Sequence, residues 1–226
     1  MFLTLKDKTW HNEEIYSLKF ERPENFGFKP GQFLTVNLEL DGKMEKRAYS
    51  FSSSPTEKEY LMFTIKKEKK VSKKLSEMES GDKLEARGPF GIFILDENFN
   101  DITFIAGGTG VTPFRCMIKY VADNKLNKNI KLLYSARTEK DLIFNEEFQK
   151  IENTNPNFRF IPTTTRDETF KGKKGRIDEK FLKDNVQNLN EEIFYICGPT
   201  AFVEAIKEAL LKLNVENKKI KIDKWG

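Results

Sequence analysis

Histidine and cysteine are nearly absent. The 226-residue chain has one histidine, His11, and two cysteines, Cys116 and Cys197. One imidazole and two thiols cannot build a four-thiolate iron–sulfur cluster, a cysteine-based zinc site or a histidine-rich metal centre, so no metal is expected. A disulfide between the two is not expected in a reducing compartment. Any redox chemistry therefore has to come from a bound organic cofactor. No stretch approaches the ~18 consecutive apolar residues of a membrane-spanning helix. The start, Met1-Phe2-Leu3-Thr4-Leu5-Lys6-Asp7, lacks the basic head and long apolar core of a signal peptide. A cytoplasmic location is the expectation. Charge of one sign is lacking too: 39 Lys and Arg against 35 Asp and Glu leave +4. That is too balanced for a dedicated nucleic-acid binder, while its mild basicity suits an acidic protein partner.

What is present is enough apolar and aromatic material for a core, including 20 phenylalanines, in a length that allows one large or two small domains. Two rhythms divide the chain. Up to Arg87 the period is two: Leu34, Val36, Leu38 and Leu40 alternate with Phe33, Thr35, Asn37 and Glu39, and Leu61, Phe63 and Ile65 with Tyr60, Met62 and Thr64. Such alternation predicts half-buried strands. Pro30-Gly31, Asp41-Gly42 and Gly81-Asp82 supply turns between them. The pattern points to a small antiparallel barrel or sandwich, interrupted by one helix over Val71 to Glu79. From Asp101 onward strands and helices alternate. Strands are expected at Ile102–Ala106, Ile130–Tyr134, Phe158–Pro162, Ile193–Cys197 and Ile220–Asp223. Helices are marked by Phe114, Met117, Ile118 and Val121, by Phe144, Phe148 and Ile151, near Asp178–Asp184, and by Val203, Ile206, Leu210 and Leu213. This alternation predicts a five-stranded parallel sheet covered by helices on both faces. The expected domains are 1–98 and 99–226. One biased run, Lys66 to Lys74, holds six lysines in nine residues and reads equally as a solvated face.

The strongest candidate site is Ala106-Gly107-Gly108-Thr109-Gly110-Val111-Thr112-Pro113, between a strand and a helix. Glycines let a backbone approach a pyrophosphate, and a helix start offers unpaired N–H groups and a positive dipole end. Thr112 is expected to cap the helix and Pro113 to take its first position. Ile196-Cys197-Gly198-Pro199 ends another parallel strand, at the edge where open α/β sheets hold ligands. In the barrel half, Arg47-Ala48-Tyr49-Ser50 groups an arginine suited to phosphate, a ring suited to stacking and a hydroxyl.

Together these blocks resemble the ferredoxin–NADP reductase-like flavoproteins, two-domain FAD and NAD(P) oxidoreductases, here without an iron–sulfur domain. They occur in the family's order: Arg47-Ala48-Tyr49-Ser50, Val71-Ser72, Gly88-Pro89-Phe90-Gly91, Gly107 to Pro113, Thr165-Arg166, Gly175-Arg176-Ile177-Asp178 and Cys197-Gly198-Pro199. The resemblance implies an FAD-binding β-barrel over 1–98 and an NAD(P)-binding α/β domain over 99–226. Arg47 would pair with the FAD pyrophosphate, Tyr49 would pack on the isoalloxazine, and Ser50 would reach flavin N5. Thr64, Ile65 and Lys66 would contact the flavin edge through backbone groups. Lys70, Val71 and Ser72 would hold the FAD pyrophosphate, with Lys70 standing where many relatives have glycine. The loop of Gly107, Gly108, Thr109 and Gly110 would hold the NAD(P) pyrophosphate. Thr112 would lie between flavin and nicotinamide, and Cys197, followed by Gly198 and Pro199, near nicotinamide C4. Asp223-Lys224-Trp225 is similar to a C-terminal acidic–x–aromatic segment whose ring, here Trp225, covers the flavin.

No acid follows the second parallel strand, where Ser135-Ala136-Arg137 stands. Thr165 and Arg166 match the family's 2′-phosphate position, with Lys171, Lys173 and Lys174 close behind and Asp167 and Glu168 offsetting them. With Arg137 these favour NADP(H) over NAD(H). The implied function is electron movement between NAD(P)H and a separate carrier such as ferredoxin or flavodoxin, or another small acceptor. The alternatives are a flavin reductase or diaphorase holding flavin loosely, the reductase component of a multi-protein oxygenase, and a nucleotide-binding regulatory module. Intact Ser50 and Cys197 argue against the last.

Overall fold

The structure, a computed structural model, describes residues 1–225; Gly226 lies outside the described residues. The chain forms two compact units. One comprises Met1–Leu95 with Thr112–Tyr120, and the other Asp96–Val111 with the chain from Val121 onward.

The first unit carries β1 (Phe2–Trp10), β2 (Ile15–Glu21), β3 (Phe33–Leu40), β4 (Lys43–Ser50), β5 (Tyr60–Lys66) and β6 (Lys83–Phe90), with the helix α1 (Lys70–Ser76) between β5 and β6. They form a six-stranded antiparallel sheet in the order β4-β3-β6-β1-β2-β5. A bridge between Phe51 and Phe63 joins the chain just past β4 to β5, so the two sheet edges meet in a barrel seam. The β3–β4 hairpin turns on Asp41 and Gly42, both at positive φ, as a two-residue turn matching strand twist requires. Leu34, Val36, Leu61, Phe63 and Ile65 point into one core with Leu3, Leu18, Phe20, Phe51 and Leu84, closed at one end by Val71 and Leu75 of α1. Burying each such side chain stabilises the fold by about 1.5–3 kcal/mol. β5 departs from the expected half-buried strand, for Met62 and Thr64 on its outer face are buried as well. Ser52 and Ser53, running from the seam, cover them through Ser52 N–H to Met62 O (2.8 Å) and Met62 N–H to Ser53 Oγ (2.9 Å).

The second unit carries β7 (Asp101–Gly107), β8 (Asn129–Ala136), β9 (Phe158–Thr164), β10 (Lys173–Lys174), β11 (Ile193–Pro199) and β12 (Ile220–Trp225). All pairs are parallel, in the order β10-β9-β8-β7-β11-β12. The five expected strands are present. The sixth, β10, is two exposed lysines paired to Thr163 and Thr164, an edge extension with no apolar pattern to announce it. The order reverses between β7 and β11, which makes their carboxyl ends the topological switch point.

The helices are α2 (Val111–Asp123), α3 (Asn145–Thr154), α4 (Glu179–Asn185) and α5 (Thr200–Lys212). Val203, Ile206 and Leu210 of α5 and Leu182 of α4 bury against Ile105, Leu133, Phe194 and Ile196 of the sheet. Asp178 caps α4 by accepting from Phe181 N–H at 2.8 Å. Two details correct the sequence expectation. Phe144 precedes α3 in the left-handed region (φ 62°) instead of opening it. α2 starts at Val111, continuing a tight 3-10 turn over Gly108–Gly110, so Thr112 and Pro113 lie inside the helix and Thr112 is not its cap.

Candidate functional site

In the first unit the candidate residues lie along the last four positions of β4. Arg47 is exposed, and its guanidinium engages the Glu45 carboxylate (3.0 Å) and Lys46 O (2.7 Å) at the surface. Ala48 is exposed, while Tyr49 and Ser50 are half-buried. Glu45 also faces the Lys70 ammonium, which bonds Asp41 at 2.9 Å and has its pKa raised chiefly by that bond. Burial lifts the Tyr49 hydroxyl to about 12, against the Arg47 charge, which lowers it. Tyr49 in turn acts on Tyr16, whose hydroxyl donates to Ser72 O in α1. The structure therefore brings Arg47, Tyr49 and Lys70 to one surface of the unit. Two exposed cations whose present partners are surface carboxylates, beside an aromatic face, fit the pyrophosphate and ring of a dinucleotide.

Val71 and Ser72 are placed differently. Val71 is core, and the Ser72 hydroxyl accepts from Glu68 N–H and Lys69 N–H (3.0 Å each). Their side chains hold the loop ahead of α1, so of this trio only Lys70 presents its side chain outward. Thr64 is buried, Ile65 is core and Lys66 pairs with Glu68 and Glu14.

Sequence reasoning missed a set of buried polar groups in the same unit. Arg115, 6% exposed, donates to Ser52 O (2.6 Å) and to both Glu57 oxygens (3.2 and 3.3 Å). Tyr60 O–H (2.5 Å) and Ser54 N–H (2.7 Å) complete the Glu57 shell. Burial pushes Glu57 up, but the Arg115 charge and these hydrogen bonds outweigh it and hold the carboxyl below its usual range. The one available signal was an arginine in the otherwise uncharged stretch Val111 to Ile118.

In the second unit Gly107 and Gly110 are needed for close approach. A Cβ on Gly110 would stand 2.1 Å from Cys197 O, and one on Gly107 2.8 Å from the Phe202 ring. Gly108, at φ +55° with open space around it, supplies the left-handed turn; Thr109 is half-buried beside it. Cys197 is fully buried, with Sγ 3.9 Å from an Asp223 carboxylate oxygen. Burial and then the Asp223 charge push its thiol pKa far up, so it stays protonated. Burial raises Asp223. Gly198 packs on Gly107, and Pro199 pairs in register with Trp225, whose carbonyl accepts from Thr200 Oγ1 at 3.3 Å. The Trp225 side chain is exposed.

At the ends of β8 and β9, Arg166 N–H donates to Arg137 O (2.8 Å) and Thr165 N–H to Ala136 O (3.0 Å), so exposed Arg137, Thr165 and Arg166 are neighbours. Asp167 turns away from them, binding Glu139 N–H and Thr169. Lys173 and Lys174 engage Asn185 and the Glu168 carbonyl. A glycine-lined helix start at the switch point, with two arginines at neighbouring strand ends, fits a dinucleotide with an added phosphate.

Residues 1–94 match the oxidoreductase FAD-binding domain family, and residues 104–208 the oxidoreductase NAD-binding domain family. The chain is 33% identical over 211 residues to the glycine betaine monooxygenase reductase subunit of Chromohalobacter salexigens, covering 90% of this chain and 57% of that protein. It is 32% identical over 207 residues to the sulfhydrogenase 1 subunit gamma of Pyrococcus furiosus, covering 88% of this chain and 70% of that protein. The fold superposes on a ferredoxin NADP+ reductase from Neisseria gonorrhoeae with a TM-score of 0.84 at 22% identity, covering 99% and 98% of the two chains. The chain thus spans a little over half the length of the monooxygenase reductase subunit. No described helix is long and apolar enough to cross a membrane.

Proposed function

The chain belongs to the ferredoxin–NADP reductase-like flavoproteins, two-domain FAD- and NAD(P)-binding oxidoreductases, and from that premise we propose that it carries electrons from NAD(P)H, with NADPH favoured, to a separate electron-accepting protein. The observation that carries the reading is the convergence of Arg47, Lys70 and Tyr49 in the FAD-binding domain of a chain that also holds a glycine-lined NAD-binding crevice. A bound FAD would supply the redox chemistry, exchange of hydride with a nicotinamide and of single electrons with an acceptor. The protein supplies placement.

On this reading residues 1–98 hold FAD and 99–226 hold NAD(P). Arg47 and Lys70 would neutralise the FAD pyrophosphate with help from the Val71 and Ser72 backbone. Tyr49 would pack on the flavin, Ser50 would be the hydroxyl serving its reacting edge, and Thr64, Ile65 and Lys66 would offer backbone groups to it. Gly107 to Gly110 and Thr112 would receive the nicotinamide nucleotide, Cys197, Gly198 and Pro199 would line its site, and Trp225 is the candidate for the ring that would cover the flavin. Both cysteines are buried free thiols, too few for a four-thiolate cluster on these residues, and the proposed acceptor is a separate molecule. Ferredoxin and flavodoxin are the first acceptors to test. A reductase role for an oxygenase is the second reading, favoured by the 33% identity to a monooxygenase reductase subunit.

The test is anaerobic flavin reduction by NADPH and by NADH, followed by addition of ferredoxin, flavodoxin or free flavin. Fast reoxidation by a protein carrier is expected. Transfer only to free flavin would replace this reading with a flavin reductase.

Two variants probe the binding roles. Arg47→Ala should weaken FAD binding by about 10- to 100-fold, since a charge-assisted pair with phosphate contributes roughly 1.5–3 kcal/mol. A variant that purifies with full FAD and titrates with wild-type affinity removes Arg47 from the site. Arg166→Ala should raise the KM for NADPH about tenfold or more and leave NADH nearly unchanged, because only NADPH carries the extra phosphate. Equal losses with both nucleotides, or a wild-type preference for NADH, would sink the assignment.

A further inference from the structure

The barrel seam carries a continuous line of buried hydroxyls. His11, in the β1–β2 hairpin, places Nε2 2.7 Å from Ser17 Oγ on β2. Ser17 Oγ is 2.7 Å from Thr64 Oγ1, its cross-strand partner on β5. Thr64 Oγ1 donates to Ser52 Oγ at 2.9 Å, and Ser52 Oγ donates to Met62 O at 3.0 Å. Ser17, Thr64 and Ser52 are all buried.

Counting protons along this line fixes its direction. Four hydrogen bonds need four protons, and three hydroxyls supply three. A carbonyl cannot donate, so the Ser52 proton goes to Met62 O, the Thr64 proton to Ser52 and the Ser17 proton to Thr64. The fourth must come from His11 Nε2–H. Burial first, and then the Arg115 charge, lower the His11 pKa and favour the neutral ring, and the count above puts its one proton on Nε2.

We propose that His11 is a positioning residue for the flavin edge: its Nε2–H starts a one-way hydroxyl chain that fixes the β5 end, Thr64–Lys66, against the Ser50–Ser52 segment across the barrel seam. This rests on the reading that both segments face the flavin. The line runs from β2, which its antiparallel ladder already joins to β5, on to the Ser52 segment, which otherwise meets β5 through the Phe51–Phe63 bridge and the backbone bonds of Ser52 and Ser53 to Met62. Hydrogen bonds in a buried line polarise and order one another. Without the first donor, buried Ser17 loses a partner and the chain loses its direction.

The experiment uses the FAD-loaded protein and its His11→Leu, His11→Gln and Ser17→Ala variants. Imidazole nitrogen NMR of the wild type should show Nε2 protonated, and this readout needs no flavin chemistry. FAD titration should show affinity about tenfold weaker in His11→Leu and in Ser17→Ala, with a shifted flavin absorption envelope. His11→Gln, whose amide keeps a donor near the Nε2 position, should stay within about threefold of wild type. The double variant His11→Leu/Ser17→Ala should be no worse than the weaker single, because both break one chain. A proton on Nδ1 alone overturns the proposal. So does a His11→Leu protein that melts earlier yet binds FAD with wild-type affinity and spectrum, which would make the chain structural only. Wild-type protein that does not bind FAD overturns the flavin reading itself, before any variant is compared.

Discussion

Arg115→Ala is expected to lower the unfolding free energy of the first unit by about 3–5 kcal/mol, the cost of stripping one partner from a buried ion pair. The side chains of Arg115 and Glu57 are 8% and 12% exposed, so the surviving carboxylate has little water to turn to. Ser52 O also loses a 2.6 Å donor at the barrel seam. For a unit of this size each 1 kcal/mol moves the midpoint by roughly 4–8 °C, so the melting temperature should fall by more than about 10 °C. Trp10 lies in this unit, and a variant retaining it as the only tryptophan gives a local fluorescence probe. A wild-type midpoint in that variant with Arg115→Ala would show the pair contributes nothing.

The same pair sets an acid limb. The folded-state pKa of Glu57 is depressed, so its stabilisation is present above the unfolded value of about 4.3 and is lost as pH falls through the lower folded one. Arg115→Ala should flatten that part of the stability profile, because the charge and the guanidinium hydrogen bonds that depress the pKa are gone.

This pair lay outside what the sequence could reveal, and so did the hydroxyl chain. Arg115 and Glu57 are 58 positions apart and Ser17 and Thr64 are 47 apart, so no local pattern links them. The strands of both units were legible because an alternating or continuous apolar run is imposed by burial itself: Leu34 and Val36 in the barrel, Ile102 to Ala106 in the parallel sheet. The glycine loop and Arg47-Ala48-Tyr49-Ser50 were legible for a related reason, since each packs its unusual residue types into a few consecutive positions.

The start of α2 was misplaced because Thr112-Pro113 carries a strong local capping signal. Tertiary contact overrode it: Gly110 must lie flat on Cys197 O, and the tight turn over Gly108–Gly110 already delivers the chain into the helix. β10 was invisible because it is two exposed lysines, held by backbone pairing to Thr163 and Thr164 and by polar side-chain contacts, with no apolar pattern.

Ser50→Ala and Cys197→Ala should each slow flavin reduction by NADPH about 100-fold while leaving FAD content unchanged, the scale of a small misplacement of reacting groups. The two act from different supports. Ser50 closes β4 opposite Phe33 and is half-buried, so its hydroxyl can serve a ligand at the strand end. Cys197 is buried under the glycine loop, where its carbonyl sets the position of Gly110 and its thiol faces Asp223. A thiol held protonated by burial and a neighbouring carboxylate is no nucleophile at neutral pH. Its expected contribution is shape and a weak donor to Asp223, so Cys197→Ser should recover much of the rate that Cys197→Ala loses. For the same reason the wild-type rate should show no thiolate-dependent rise between about pH 7 and 9. Anaerobic stopped-flow reduction of each FAD-loaded variant makes the comparison. Wild-type rates in both alanine variants would remove Ser50 and Cys197 from the reaction centre. A rate that climbs with thiolate formation would show that Cys197 reacts and does not merely shape the pocket.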